Sequence, residues 1–262
     1  MIVLELAQAS AIGFGTRRWT GADDEERTLA IALDRGCSLV DVAGPAPEQA
    51  ETAVGRVLSR RLDDVAVVAS TGELDPHAVV RRVRVAASRL RRDRLDVLVL
   101  DPTRLLMADA APDPEQAAVD QAAVEQALTA AFATCELLGD RGELGCYGVR
   151  IGTSQAAGAR LLQRWVELAR AVRGDHRLAV VQLPCWACAG RGGPNDLVLA
   201  AHRTGLRALG TDPLPVWPRA GAAPLATCQQ HLLDGVDHVV VDPKDAEQVR
   251  AMQSLLPLRS AA

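Results

Sequence analysis

Two aspartates that end short apolar runs are the residues of this chain best suited to proton transfer. Asp41 ends the run Ser-Leu-Val-Asp at 38–41, and Asp101 ends Val-Leu-Val-Leu-Asp at 97–101. Two carboxyl groups held close together can be driven apart in pKa, which leaves one base and one protonated acid near neutral pH. We therefore predict that Asp41 and Asp101 are catalytic and support isomerisation, dehydration or ring closure.

Polar and aromatic residues near the ends of other apolar runs are candidates for substrate binding. Planar guanidinium groups suit a carboxylate, phosphate or enolate oxygen, and tryptophan rings suit the walls of a pocket. The predicted substrate-binding residues are Arg18, Trp19, Glu73, Arg150, Gln182, Trp186, Trp217 and Arg219. A structural alternative stays open, in which Asp41 pairs with an arginine and Asp101 caps the turn that follows it.

A Cys-x-x-Cys pair, Cys185 and Cys188, raises the question of metal or redox chemistry. A zinc site needs two more ligands, and the sequence has no second Cys-x-x-Cys and no His-x-x-x-His. A redox pair normally lies at a helix amino terminus, whereas a glycine-rich stretch follows here at 190–194. We predict structural thiols and no metal site.

The elements that must position these residues alternate along the whole chain. The predicted strands are 11–15, 38–42, 65–70, 96–101, 145–150, 178–183, 214–217 and 238–242. The predicted helices lie near 23–35, 48–60, 75–91, 114–139, 154–173, 194–208, 222–234 and 245–256. This alternation is typical of a closed (β/α)8 barrel, or TIM barrel, with its site at the carboxyl ends of the strands. No linker divides the chain, so one α/β domain is predicted over 1–262.

Charge and composition limit the partners of the protein. The 262 residues are 48% hydrophobic and 24% charged, and the formal net charge is −4. A nucleic-acid groove or an anionic-membrane surface normally leaves a positive footprint, and no apolar run approaches the ~18 residues that span a bilayer. The amino-terminal stretch is acidic where a secretory signal is basic, so a cytoplasmic protein is predicted. We expect a small-molecule substrate or ligand, no nucleic acid and no membrane, with a pathway enzyme as a further possible partner.

Several segments, in order along the chain, resemble the aldo-keto reductase family. They are Ile-Gly-Phe-Gly-Thr at 12–16, the helix 29–36 followed by Ser-Leu-Val-Asp-Val-Ala at 38–43, Glu-Thr-Ala-Val-Gly at 51–55, the stretch 88–97 before the fourth strand, 142–149 at the fifth and Val-Val-Gln at 180–182. The resemblance covers most of the chain and is strongest over 11–150. It implies a TIM barrel of the aldo-keto reductase type.

The same resemblance shows where the chain departs from the family's catalytic tetrad of Asp, Tyr, Lys and His. In that family the Tyr gives a proton to the carbonyl oxygen while NADPH delivers hydride. Asp41 stands at the Asp position, whereas Ala46, Gly72 and Asp101 stand where the family has Tyr, Lys and His. The single tyrosine and the single lysine of the chain lie elsewhere, near the fifth strand and after the eighth.

The positions that hold the cofactor in that family also differ. Arg150 and Ile151 stand where the family has the Ser-Asn that holds the nicotinamide amide, and Leu183 stands where it has an Asn. The phosphate clamp after the eighth strand reads Asp-Pro-Lys-Asp-Ala at 242–246, which leaves Lys244 and Arg250 as candidate cofactor-binding residues.

The connection between the seventh and eighth strands is predicted to be shortened, because only about twenty residues separate Trp217 from the eighth strand. That span leaves little room for the cofactor-clamping loop of the family. We predict that no cofactor is bound, with NADPH as the second possibility.

Three functions remain as hypotheses. The first is a barrel that has lost hydride transfer and acts on a small polyfunctional metabolite by cofactor-independent acid/base chemistry, as an isomerase, dehydratase or cyclase. The second is a non-catalytic barrel that binds a ligand or a partner protein. The third is a reductase dependent on NADH or NADPH with an atypical proton donor, such as Asp101 or water.

Overall fold

A computed structural model describes residues 8–19, 23–43, 47–61, 64–103, 105, 114–152, 155–185, 196–212, 227–228, 230–232 and 234–252. Its strands are β1 (Ile12–Gly15), β2 (Leu39–Asp41), β3 (Ala66–Thr71), β4 (Leu95–Leu100), β5 (Leu144–Arg150), β6 (Leu178–Pro184), β7 (Arg207–Thr211) and β8 (His238–Val241). All are parallel and pair in sequence order, and β8 pairs with β1 to close the cylinder. The predicted (β/α)8 TIM barrel is confirmed.

Helices surround this barrel and follow the strands. They are α1 (Asp23–Asp34), α2 (Pro47–Leu58), α3 (Pro76–Leu90), α4 (Pro114–Asp140), α5 (Gln155–Val172), α6 (Asp196–Arg203) and α7 (Ala246–Met252). Residues 227–228 and 230–232, between β7 and β8, are also helical. None of the helices in the described part of the chain is long and apolar enough to cross a membrane.

The boundaries of α3 show how local sequence sets an element. Asp75 accepts hydrogen bonds through Oδ1 from the backbone N–H groups of His77 and Ala78, and Pro76 occupies the first helical position. These are the contacts of a helix N-cap followed by a proline whose missing N–H costs nothing there. Arg91 ends the helix in a left-handed conformation with φ of +56°.

Apolar side chains fill the barrel interior below its carboxyl end. This inner cluster contains Ala9, Leu39, Val68, Val97, Val99, Cys146, Ala179, Val180, Leu209 and Val240. Side chains alternate between the two faces of a strand, so the residues two positions after Leu39, Val99, Val180 and Val240 face the same interior one layer higher. Those residues are Asp41, Asp101, Gln182 and Asp242. The apolar interior therefore ends in a polar layer at the mouth.

A second and larger cluster packs between the barrel and the helices. Tyr147 of β5 belongs to it, is fully buried and packs against Phe132 of α4 with ring centroids 5.4 Å apart. Burial raises the pKa of the Tyr147 hydroxyl far above its ordinary value. The one tyrosine of the chain therefore faces the helical layer and takes no part in chemistry at the mouth.

The seventh strand lies upstream of its predicted position. Arg207–Thr211 forms β7, whereas the predicted segment 214–217 lies outside the described residues. Helix α6 ends at Arg203, and Gly205 makes the turn into the strand with φ of +81°. The strand Arg-Ala-Leu-Gly-Thr is short and contains an arginine and a glycine, so it lacks a clear apolar run. The first residues of this strand therefore fall within the predicted helix 194–208. The connection to β8 therefore covers residues 212–237, longer than the span predicted from Trp217.

Candidate active site

The carboxyl ends of the strands bring seven polar side chains together. We call this set the mouth cluster: Arg17, Asp41, Asp101, Arg150, Gln182, Asp212 and Asp242. The loops after β1, β4, β7 and β8, the last residues of β2 and β5, and Gln182 near the end of β6 supply its members. In a (β/α)8 barrel this is the face at which catalytic residues lie.

Asp41 is the most deeply placed carboxyl of the mouth cluster. Its side chain is buried, with 4% of the residue exposed. Oδ1 accepts a hydrogen bond of 2.8 Å from the backbone N–H of Ala43, and Oδ2 accepts one of 3.0 Å from Nε2 of Gln182. Burial raises the pKa of Asp41 to about 7, with a smaller lowering from the Ala43 N–H and a smaller rise from the charge of Asp242. Asp41 can therefore hold or release a proton at neutral pH.

Gln182 connects Asp41 to Arg150. It is fully buried, and its Oε1 accepts a hydrogen bond of 3.4 Å from Nη1 of Arg150. The predicted alternative in which Asp41 is paired with an arginine is not what the structure shows, because Gln182 lies between them.

Arg150 itself lies between two carboxylates. Its Nε is 3.7 Å from Oδ2 of Asp101, and its Nη2 is 4.0 Å from Oδ2 of Asp212. Both distances exceed the usual N–H···O range, and 24% of the Arg150 side chain is exposed. The guanidinium is therefore held in place while donors remain for an oxygen of a bound molecule.

Asp101 combines the two roles that its sequence suggested. Its Oδ1 accepts a hydrogen bond of 3.0 Å from the backbone N–H of Thr103, which caps the turn after β4. Its Oδ2 faces Arg150. Asp41 and Asp101 are therefore joined through Gln182 and Arg150.

Asp212 is a member of the cluster that the sequence analysis missed. It follows β7 and adopts a left-handed backbone with φ of +53°, a conformation that only Gly, Asn and Asp tolerate well. Its carboxylate pairs with Arg17 and faces Arg150. The signal that would identify it is an aspartate directly after an apolar strand, and the predicted seventh strand misses it because it starts at 214, seven residues after the observed start at Arg207.

Asp242 lies directly against β1. Its Oδ1 accepts a hydrogen bond of 3.0 Å from the backbone N–H of Arg17. Burial raises the pKa of Asp242, and the N–H of Arg17 lowers it by less. A β-carbon built on Gly15 would stand 2.2 Å from that Oδ1, so the carboxyl occupies the space that a side chain at position 15 would need.

The other predicted binding residues fall into four groups. Arg18 is close enough to Asp242 for its charge to lower the pKa of that carboxyl. Trp19 packs edge-on against Phe14, with ring centroids 5.9 Å apart, and is partly buried against the core between barrel and helices. Glu73 is exposed and pairs with Arg81 of α3 at 3.1 Å, on the rim. Trp186, Trp217 and Arg219 lie outside the described residues, and the two last do not directly follow β7 as predicted.

The cysteines show no arrangement for catalysis in the described part of the chain. Cys185 is buried directly after β6, and its partner in the motif, Cys188, lies outside the described residues. The five described cysteines are all buried and none forms a disulfide with another. The residues that the structure describes contain no group of three or more His, Cys, Asp or Glu side chains that could hold a metal ion.

The candidate cofactor residues, Lys244 and Arg250, are exposed and follow β8. The backbone N–H of Lys244 donates to Oε1 of Gln248, and Asp245 caps α7 by accepting from the N–H groups of Glu247 and Gln248. The first turn of α7 is thus already capped by a carboxylate, and the side chains of Lys244 and Arg250 are what this segment offers to a phosphate.

The solved structures with a similar fold include dehydrogenases and reductases. A glycerol dehydrogenase from Gluconobacter oxydans has a TM-score of 0.67 and 16% sequence identity, over 94% of this chain and 86% of that one. An aldo/keto reductase from Klebsiella pneumoniae, in complex with NADP and acetate, has a TM-score of 0.66 and 19% identity, over 95% and 87%. An aldose reductase from Giardia lamblia has a TM-score of 0.65 and 16% identity, over 97% and 90%. No family model matches the sequence, and no curated protein matches it either.

At these identities the likeness establishes the fold: the barrel is of the aldo-keto reductase type, as the sequence motifs indicated. It also corrects one prediction. The prediction that no cofactor is bound is wrong, because a solved barrel whose fold aligns with 95% of this chain is in complex with NADP. NADP is the cofactor of that neighbour, and the neighbours favour the hypothesis of a reductase dependent on NADH or NADPH over cofactor-independent acid/base chemistry.

Proposed function

We propose that this barrel of the aldo-keto reductase fold is a nicotinamide-dependent oxidoreductase that interconverts a carbonyl group and an alcohol, with Asp41 as the proton-transferring residue. The observation that carries the proposal is the buried Asp41 carboxyl at the carboxyl end of β2, with its pKa raised to about 7. The solved structures of the same fold support the reaction class, since they include a reductase with NADP and a glycerol dehydrogenase.

The donor set of the mouth cluster fits the reactive end of a nicotinamide cofactor. A nicotinamide ring carries a carboxamide, which needs both hydrogen-bond donors and acceptors. Gln182 supplies an amide and Arg150 a guanidinium at the floor of the mouth, and Asp101 and Asp212 supply carboxylate oxygens beside them. Lys244 and Arg250 are the described cations after β8 that would face phosphate groups. When bound, the reduced cofactor supplies the two electrons of a carbonyl reduction as hydride.

Asp41 supplies the proton that this reduction needs. As the substrate carbonyl is reduced, the carbonyl oxygen gains negative charge and takes the proton from Asp41, which becomes a carboxylate. The N–H of Ala43 and Nε2 of Gln182 already donate to the two Asp41 oxygens, so they stabilise that carboxylate. Solvent then returns a proton to Asp41. In the direction of alcohol oxidation the same carboxylate accepts the proton.

Arg150 is placed to orient the substrate. Its guanidinium is partly exposed and donates a hydrogen bond to Gln182. Gln182 in turn donates to Asp41, so one residue separates Arg150 from that carboxyl. A planar guanidinium binds carboxylate and carbonyl oxygens through parallel N–H groups. We therefore propose a small polyfunctional substrate, with an oxygen-bearing group near its carbonyl that Arg150 holds.

The proposal is tested by NADPH and NADH consumption with a panel of small aldehydes, ketones and keto acids. We expect turnover with at least one carbonyl class in the wild-type protein. Asp41→Asn should lower kcat by a factor of about 100 or more at neutral pH, the range of a lost general acid. Asp175→Asn serves as a charge-matched control, because its side chain is 84% exposed and lies before β6, at the opposite end of the barrel. Undiminished turnover in Asp41→Asn would exclude Asp41 as the proton donor.

A further inference from the structure

We propose that Asp242 is a positioning residue for Asp41: the absent side chain at Gly15 admits the Asp242 carboxyl to the barrel interior, where it flanks β1 on the side opposite Asp41 and its negative charge keeps a proton on Asp41. The use of that proton rests on the proposed function. The pair itself does not, since it is a property of the resting protein.

The register of the barrel places the two aspartates on either side of one glycine. Gly15 of β1 is the register partner of Asp41 of β2, so their inward faces lie in one layer. On the other side β1 pairs with β8 through Ile12, Gly13 and Phe14, opposite Val239, Val240 and Val241. Asp242, the next residue of that strand's path, therefore lies level with Gly15 as Asp41 does.

Gly15 leaves the space between them open to a carboxyl group. A β-carbon at position 15 would stand 2.2 Å from Oδ1 and 2.9 Å from Cγ of Asp242. Real β-carbons essentially never approach other atoms so closely, so any side chain at position 15 would expel this carboxyl. The Asp242 carboxyl is held in this space by the backbone N–H of Arg17, at 3.0 Å.

Ionising both of these buried carboxyls costs more free energy than ionising two exposed carboxyls. Asp41 is buried, and Asp242 is mostly buried, so water screens neither charge well. The charged groups that act on Asp41 are Asp242, Arg150 and Asp212, and those that act on Asp242 are Asp212, Arg18 and Arg17. Asp41 faces two carboxylates and one arginine, whereas Asp242 faces one carboxylate and two arginines, so the protonated form is favoured at Asp41 and the charged form at Asp242. The proton that one carboxyl retains is the one available for transfer.

The test is a titration of the Asp41 carboxyl carbon by NMR in protein labelled with 13C at aspartate carboxyls. The Asp41 resonance is assigned by its loss in Asp41→Asn. In Asp242→Asn we expect the Asp41 midpoint to fall by about one pH unit or more, because the neighbouring negative charge is gone. Gly15→Ala should lower it as well, by expelling the Asp242 carboxyl, whereas Asp242→Glu, which keeps the charge, should retain a raised midpoint.

Asp175→Asn is the matched control and should leave the Asp41 midpoint at its wild-type value. An Asp41 midpoint that is unchanged or higher in Asp242→Asn would overturn the proposal, and Gly15→Ala decides in the same way if Asp242→Asn does not fold. The titration needs neither cofactor nor substrate. If the Asp41 midpoint falls in Asp242→Asn but the wild-type protein has no reductase activity, the carboxyl pair is kept and the proposed function is rejected. If the wild-type protein is an active reductase but the midpoint does not fall, the proposed function is kept and the carboxyl pair is rejected.

Discussion

Gln182 and Asp41 are joined by a hydrogen bond of 3.0 Å although β6 and β2 lie on opposite sides of the barrel. The bond crosses the full width of the polar layer above the apolar interior. It means that the Asp41 carboxyl is held from two sides, by its own loop through Ala43 and by the far wall of the barrel through Gln182. Hydrogen bonds from two sides keep a functional group in one geometry.

Replacing Gln182 with leucine should therefore alter both stability and proton affinity. Nε2 of Gln182 favours the ionised form of Asp41, so its loss should raise the pKa of that carboxyl further. Asp41 and Arg150 would each lose a buried partner, which we expect to cost about 1–3 kcal/mol. Urea unfolding and the Asp41 carboxyl titration measure the two effects. Gln163→Leu, at an exposed position of α5, is the control, and an equal loss there would show that the Gln182 contact is not what matters.

The raised pKa of Asp41 predicts a specific dependence of stability on pH. Between its ordinary pKa of 3.8 and its folded value of about 7, Asp41 binds a proton in the folded state and not in the unfolded state. Its contribution to stability is fully present below pH 3.8 and is lost as the pH rises through 7. The amide introduced by Asp41→Asn does not titrate. The stability of this variant relative to wild type should therefore rise over this range, by at most ~4 kcal/mol.

Chemical unfolding at about pH 4.5, 6 and 8 measures this rise. Asp175→Asn provides the comparison, because hydrogen bonding to Arg173 lowers the pKa of the exposed Asp175 carboxyl. That variant should show no relative gain as the pH rises. A stability difference between Asp41→Asn and wild type that stays flat over the range would mean that Asp41 is already ionised in the folded protein at low pH.

Arg150 should determine how tightly the substrate is held. Arg150→Lys keeps a positive charge but loses the planar fork, so it separates charge from geometry. We expect KM to rise by roughly 10-fold or more with a smaller change in kcat, since the lost contact exists before and during the reaction. The effect should be largest for keto acids and smallest for their methyl esters. Equal KM changes for acid and ester would argue against a direct contact between Arg150 and the carboxylate.

Arg91 provides a prediction that concerns the scaffold alone. It ends α3 with φ of +56°, a region in which a β-carbon is strained and glycine is not. Arg91→Gly should therefore stabilise the protein by about 0.5–1 kcal/mol, measured by thermal or urea unfolding. Arg91→Ala retains the β-carbon and should give no such gain. If both variants behave alike, the backbone at this position is not strained.

The fold was accessible from sequence because its elements carry simple patterns. Alternating apolar runs gave seven strands near their observed positions, and the Asp-Pro pair at 75–76 marked the start of α3. The sequence misplaces the seventh strand because Arg207 and Gly210 interrupt its apolar run and because it begins shortly after α6. That one error moved the expected strand end to Trp217 and Arg219, and it hid Asp212.

The sequence predicts most residues of the site but not which of them contact one another. Asp41, Asp101, Arg150 and Gln182 all belong to the mouth, as expected from their places at strand ends. Which carboxyl lies beside Asp41 depends on the register between neighbouring strands and on the space above Gly15, and neither can be obtained from spacing along the chain. Spacing along the chain therefore favours Asp101 as the partner of Asp41, whereas the hydrogen-bond partner of Asp41 in the structure is Gln182.

The measurement that tests the central claim most directly is a calorimetric titration of the purified protein with NADPH, with NADH in parallel. We predict saturable one-to-one binding with a Kd in the micromolar range, about −8 kcal/mol, for at least one of the two. Asp41→Asn should bind the same cofactor with similar affinity, because its change affects proton transfer and not the cofactor. Absence of binding by either cofactor at millimolar concentration would contradict the proposed function.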